Sequence, residues 1–210
     1  LSSIPSLVRH FEDRGIRAAH LSHAFDRRIC DRIPSLEARI PRVAFVGNLA
    51  PNYGDRIAFL DALSRHVPID FYGHGEQYLP EDSPLRRAYR GPAWGDELYS
   101  VYGSHLIVVH KNIDVAEKSA SAKRLFEATG MGACVVTEAS DDLADLFVPG
   151  EEVITYSGVD DCVEKIGQLL TNPERAREIG RRGQQRTLTD HTYERRVDDL
   201  LSHVKALGLL

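Results

Sequence analysis

Ser121, Lys123, Arg124 and Glu127 fall in one stretch, Ser119-Ala-Ser-Ala-Lys-Arg-Leu-Phe-Glu-Ala-Thr-Gly130, whose residue types suit a phosphorylated ligand. A serine at 119 or 121 can cap a helix and leave backbone N–H groups free at its first turn. Those amides, the positive helix end and the cations Lys123 and Arg124 make a setting for a phosphate. Glu127 follows Lys123 by four residues, on the same helical face and one turn deeper. A carboxylate there can accept two hydrogen bonds from the vicinal hydroxyls of a ribose. The same spacing equally describes an exposed ion pair contributing about 0.2–0.5 kcal/mol, and spacing alone leaves both readings open.

These residues need a frame, and the rest of the chain supplies an alternating one. The run Val43-Ala44-Phe45-Val46 is apolar throughout and ends in Gly47-Asn48, as a buried parallel strand should. Residues 55–67 read as a helix, 69–72 as a strand closed by Gly73 and Gly75, 89–91 as a short strand end, and 96–102 as a short helix. Residues 106–109 form the clearest strand; a helix over 122–129, a strand over 133–137, a short helix over 141–147 and a strand over 153–156 follow. Ser157 and Asp160 form a variant capping box for a helix carrying Val159, Cys162, Val163, Ile166 and Leu170. Asn172-Pro173 supplies an N-cap and a first-turn proline for the next helix, through 186. A last helix aligns Tyr193, Val197, Leu200, Leu201 and Val204.

Strands alternating with helices predict an α/β, Rossmann-like parallel sheet with helices on both faces. Ligands of such sheets bind outside the carboxyl ends of the strands, so the loops beginning at Gly47, Gly73, Gly91, His110 and Glu138 are where a site belongs. Gly47 by itself reads most simply as a tight turn. Residues 1–41 differ from the rest: a helix over 3–14 stopped by Gly15, an extended piece over 18–25, and a charged connector over 26–41 that joins the main domain to something before it or packs on the surface. The expected division is 1–41 as a segment or linker from a preceding domain, 42–190 as the ligand-binding domain, and 191–210 as a C-terminal helix. The chain opens at Leu1 and its one methionine is Met131, as expected of a piece of a longer protein.

Several classes of function are disfavoured. A net charge of −5 argues against a dedicated nucleic-acid binder. No run of eighteen apolar residues occurs, so no membrane span is expected. Cys30, Cys134 and Cys162 are far apart and odd in number, so neither a zinc knuckle nor a disulfide framework is indicated. Cys134 in an apolar run and Cys162 on an apolar helix face read as buried structural thiols, and a reducing, cytoplasmic setting fits. There is no G-x-G-x-x-G, P-loop or H-E-x-x-H motif, so a dinucleotide fingerprint, a Walker site and a metal site lack support. A receiver-like domain would need an aspartate at a central strand end, where His110 and Lys111 stand instead. Asp141-Asp142 suits a helix start, Arg175, Arg177, Arg181 and Arg182 a solvated face, and His191 helix entry and packing.

The run Arg-Leu-Phe-Glu-Ala-Thr-Gly-Met-Gly-Ala-Cys-Val-Val-Thr-Glu (124–138) resembles the signature of group-1-type GT-B glycosyltransferases, and most closely their spore-maturation-protein-like branch. The resemblance continues through Leu146-Phe-Val-Pro-Gly-Glu-Glu-Val153, Asn172-Pro-Glu-Arg175, and His191, Thr192, Tyr193 and Arg196. Upstream, Phe45-Val-Gly-Asn48 and Phe71-Tyr-Gly73 match the first two strand ends, so the ordered set spans about residues 42 to 205. It implies the C-terminal, donor-binding half of such an enzyme. No cofactor is implied beyond the donor, a UDP- or GDP-sugar, and the sugar would pass to an unknown acceptor held by a preceding domain. Glu127 would grip the ribose, and Lys123 and Arg124 would bind the diphosphate and stabilise it as leaving group. Gly91 would approach the base through its backbone, with Gly47, Asn48, His110, Asn112 and Ser121 lining the same cleft. Two features depart from the pattern. Ser119 stands where many group-1 enzymes carry a glutamate near the transferred sugar, and after the first strand only Arg56 replaces the usual Arg and Lys. The first departure favours the alternative, a non-catalytic nucleotide- or partner-binding module of the same fold.

Overall fold

Alternate residues of each central strand face opposite ways, and in this chain both sets are apolar. The computed structural model describes residues 1–112 and 123–208. Five strands, β1 (Ile40–Val46), β2 (Ile69–Tyr72), β3 (His105–His110), β4 (Cys134–Glu138) and β5 (Ile154–Tyr156), pair in the order β2-β1-β3-β4-β5. Every pairing is parallel, with Val43 opposite Ile69, Val108 opposite Val135 and Thr137 opposite Thr155. A sheet buried on both faces must be apolar on both, and this one is.

Val43, Phe45, Ile107, Val109, Cys134 and Val136 share one core. Leu60 and Leu63 of α3 (Gly54–Ser64), Cys162 and Ile166 of α8 (Val159–Thr171) and Ile179 of α9 (Pro173–Asp190) cover that face. Ala44, Val46, Val108 and Val135 face the second core. There Leu98, Val101 and Tyr102 of α5 (Asp96–Ser104) pack with Leu125, Phe126 and Ala128 of α6 (Lys123–Gly130). The α/β, Rossmann-like parallel sheet with helices on both faces is therefore as the alternation predicts.

Among the described residues the other α-helices are α1 (Pro5–Glu12), α2 (Arg28–Arg32), α4 (Pro84–Arg87), α7 (Leu143–Leu146) and α10 (Tyr193–Ala206). The charged stretch after Asp26 thus contains a short helix, anchored because Ile29 is buried in the second core. Arg39 ties the same stretch down by donating to the carbonyls of Tyr102 (2.9 Å), His105 (3.0 Å) and Met131 (2.7 Å). Phe25 is 1% exposed, and a Cβ on Gly130 would come within 2.5 Å of its ring. The cap of α8 also differs from the expected Ser157–Asp160 box. Asp161, one residue on, accepts the Ser157 N–H (2.9 Å) and hydroxyl (3.3 Å), because it lies a full turn above Ser157. Asn172 caps α9 as anticipated, accepting the Arg175 N–H at 3.2 Å, but that helix continues beyond 186 to Asp190.

His191 does the packing its position suggests. Its ring centroid lies 5.1 Å from both Phe126 and Phe147. Nε2 donates to the Leu146 carbonyl at 2.8 Å, and Nδ1 accepts from Arg196 at 3.1 Å, so the neutral ring is fully satisfied. Burial, aided by Arg196, holds its pKa below the ordinary imidazole range. The unfolded ring takes up a proton near pH 6.5, and the folded ring resists it to lower pH. Stability should therefore be full above pH 6.5 and decline as pH falls toward the folded value. Urea denaturation between pH 7.5 and 4.5 should show that decline, and His191→Phe should make it shallower.

Candidate functional site

The strand order reverses between β1 and β3, which opens a crevice at their carboxyl ends. Gly47 and Asn48 leave β1 there, and His110, Lys111 and Asn112 leave β3. Gly47 donates its N–H to the Tyr72 carbonyl (2.9 Å), and a Cβ on it would sit 2.9 Å from the Phe45 ring. Packing against Phe45 and β2 is thus sufficient reason for that glycine. Asn48 is exposed; its side-chain oxygen accepts the His74 N–H at 3.3 Å, which locks the loop after β1 to the loop after β2.

Three cations gather where β3 ends. Arg56 donates to the Asn48 carbonyl (3.2 Å) and the Lys111 carbonyl (2.8 Å), bridging the crevice, with its guanidinium 5.2 Å from the Tyr53 ring. Lys111 pairs with Glu138 of β4 at 2.5 Å. His110, half-buried between them, lies within hydrogen-bonding distance of Thr137 Oγ1 (3.1 Å), and its carbonyl accepts the Tyr156 hydroxyl (2.9 Å). Burial first, then the positive charges of Arg56, Arg124 and Lys111, push the His110 pKa down to about 3. A neutral imidazole beside positive charge at this strand end suits an anion. Asn112 is 8% exposed, and its Oδ1 finds no hydrogen-bond partner among the described residues. A buried acceptor left so is costly and invites a donor from a ligand.

On the neighbouring helix, Glu127 is 2% exposed. Its carboxylate receives Lys123 Nζ at 3.3 Å, Arg124 Nη1 at 3.5 Å and the Tyr99 hydroxyl at 3.3 Å. The Lys123–Glu127 spacing is thus more than a surface pair: the lysine is largely in solvent and the carboxylate is not. Burial and the nearby carboxylate push the Tyr99 phenol up, so it stays protonated and donates. His23, from the N-terminal segment, feels the same pair: burial and Lys123 lower its pKa while Glu127 raises it. Arg124 pairs with Glu127 at 3.5 Å, and its positive charge is among those that lower the His110 pKa.

Of the sequence candidates, Gly47, Asn48, His110 and Asn112 come together at the switch point, and Lys123, Arg124 and Glu127 on α6 beside it. Gly91 has φ +92, accepts the Gly73 N–H at 3.0 Å, and has open space where a Cβ would point. Ser121, with Ser119 and Glu117, lies outside the described residues. Sequence reasoning missed Tyr99, Lys111 and the bridging role of Arg56. Tyr99 sits on a helix the periodicity finds, but nothing local aims it at a glutamate 28 positions away. Among the described residues no three His, Cys, Asp or Glu side chains converge as metal ligands would, and no helix is long and apolar enough to cross a membrane. Cys134 and Cys162 are free and buried, with burial pushing both thiols up to about 12.

The Rossmann-like parallel sheet with helices on both faces matches the fold of GT-B glycosyltransferases. Residues 56–202 match the glycosyl transferase-like family, and the chain belongs to it. A comparison with curated proteins found no match. Among solved structures, the fold is similar to sucrose-phosphate synthase from Thermosynechococcus elongatus, at 15% identity and a TM-score of 0.66, over 97% of this chain and 56% of that one. It is similar to Anabaena HepE in complex with UDP-glucose, at 15% identity and 0.67, over 96% and 61%. A variant of S. aureus TarM in complex with fondaparinux, alpha-GlcNAc-glycerol and UDP aligns at 16% identity and 0.68, over 95% and 41%. At these identities the likeness is one of fold, and this chain spans between 41% and 61% of the length of those three.

Proposed function

We propose that this chain is the C-terminal, donor-binding half of a GT-B glycosyltransferase, of the spore-maturation-protein-like branch, and that it holds a UDP- or GDP-sugar at the β1/β3 crevice. Two groups at the carboxyl end of the sheet carry the reading: Arg56 and Lys111 where β3 ends, and Lys123 and Arg124 beside the enclosed Glu127 at the start of α6. They are cations suited to a diphosphate next to a carboxylate suited to a ribose. Arg124 and Lys123, at the start of α6, take the diphosphate together with the helix's positive end. Glu127 takes the ribose hydroxyls, Lys123 swinging from it toward the phosphates. In transfer, the bond from the anomeric carbon to the β-phosphate oxygen breaks and its electron pair stays on that oxygen. The acceptor hydroxyl bonds to the anomeric carbon and releases its proton. Charge on the departing diphosphate is met by preplaced cations, without need of a metal. A preceding domain supplies the acceptor, and the setting is cytoplasmic, in keeping with the free buried thiols.

Arg124→Ala tests the diphosphate assignment. Calorimetric titration should show UDP and inorganic pyrophosphate both weakened about tenfold or more, the loss of one charge-assisted hydrogen bond. Unchanged affinity for both would remove Arg124 from the site. Ser119, at the position of the missing carboxylate, favours the second reading, a module that binds nucleotide without transfer. Release of the nucleoside diphosphate from the UDP- or GDP-sugar that the chain binds, measured in the presence of its preceding domain, separates the two, since the module gives none.

A further inference from the structure

Trp94 is the only tryptophan of the chain and stands 56% exposed. It lies between Gly91 and Gly95, both at positive φ, and a Cβ on either would meet nothing within 4 Å. The His74 ring, also exposed, is 6.1 Å away with its plane inclined by 35°. A large aromatic surface placed in water by two turn glycines is a contact surface rather than core.

Contacts connect this ring pair to both parts of the donor site. In one direction, His74 donates its N–H to Asn48, the Asn48 carbonyl accepts Arg56, and Arg56 reaches Lys111 beside His110. Those steps cross from the end of β2 to the end of β3, strands about 10 Å apart with β1 between them. In the other direction, the Trp94 carbonyl accepts the Glu97 N–H (3.2 Å) in the first turn of α5, whose Tyr99 donates to Glu127. Hydrogen bonds thus link the segments that carry the ring pair to Arg56 and Lys111 on one side and to the helix that carries Tyr99 on the other.

We infer that Trp94 is the platform on which the nucleobase of the donor stacks, with His74 at its edge, an inference that rests on the donor-site reading above. A π-face accepts any base, so the platform contributes affinity without choosing between uracil and guanine. Stacking of this kind is purchased by exposure: the indole waits in solvent and is covered when the base arrives.

Because Trp94 is the sole tryptophan, its emission reports this position alone. UDP and GDP should each change it saturably, whereas inorganic pyrophosphate should displace UDP without that change. In calorimetry, Trp94→Ala should weaken UDP about tenfold and leave pyrophosphate unaltered, with Trp94→Phe recovering most of the loss. UDP binding with unchanged emission and equal affinity in Trp94→Ala would overturn the platform and leave the donor site standing. Failure of both UDP and pyrophosphate to bind the intact chain would overturn the donor site and the platform together.

Discussion

Glu127→Ala should weaken UDP binding by about 100-fold while leaving a folded protein. Two charge-assisted hydrogen bonds from the ribose hydroxyls, at about 1.5 kcal/mol or more each, account for that factor. The fold should also lose stability, by about 1–2 kcal/mol, because Arg124 and the Tyr99 hydroxyl lose their shared acceptor. The larger loss known for one-sided removal of a buried pair is not expected, since the Lys123 side chain is 56% exposed and water can screen it. Calorimetry for affinity and urea denaturation for stability separate the two effects. A drop in stability with unaltered UDP affinity would reduce Glu127 to a packing role.

Gly73→Ala should be among the most damaging single changes in the chain. Gly73 has φ +145, and a Cβ there would lie 2.0 Å from the Gly47 carbonyl oxygen and 2.8 Å from its carbon. That contact is with backbone, so no rotamer change can relieve it. The loops after β1 and β2 would have to part, breaking the bonds from Gly47 N–H to Tyr72 and from Gly73 N–H to Gly91. A destabilisation of about 4 kcal/mol or more is expected, at the extreme of single substitutions. Gly91→Ala is the control: its φ is also positive, but open space surrounds it, so only a backbone cost of about 1–3 kcal/mol applies. Denaturation midpoints of the two variants measure the difference. Similar losses in both would show that the loops are not locked together as described.

The fold was legible because its cues are local and repeated. Continuous apolar runs such as 106–109, each ending at a turn residue, mark buried parallel strands, and capped amphipathic runs between them mark the covering helices. The same cues fail where tertiary contact overrides them. The charged stretch after Asp26 reads as a connector, yet Ile29 and Arg39 bind it to the second core and to the carbonyls of Tyr102, His105 and Met131. The candidate site divides along the same line. Lys123, Arg124 and Glu127 share one helix, so helical spacing is enough to bring them together. Tyr99, Lys111 and the reach of Arg56 come from different elements, and only the sheet order places them side by side. Burial was the other quantity spacing could not supply: the i, i+4 pattern is the same for a surface pair and for the enclosed carboxylate of Glu127.

The most direct measurement is a calorimetric titration of the intact chain with UDP and GDP, each beside its 2′-deoxy counterpart, repeated on Glu127→Gln. One saturable site is expected, with a tenfold or greater preference for the ribonucleotide that is lost in the variant. No saturable binding would remove the donor site, and equal affinity for ribose and deoxyribose forms in the unaltered chain would remove Glu127 as the ribose acceptor.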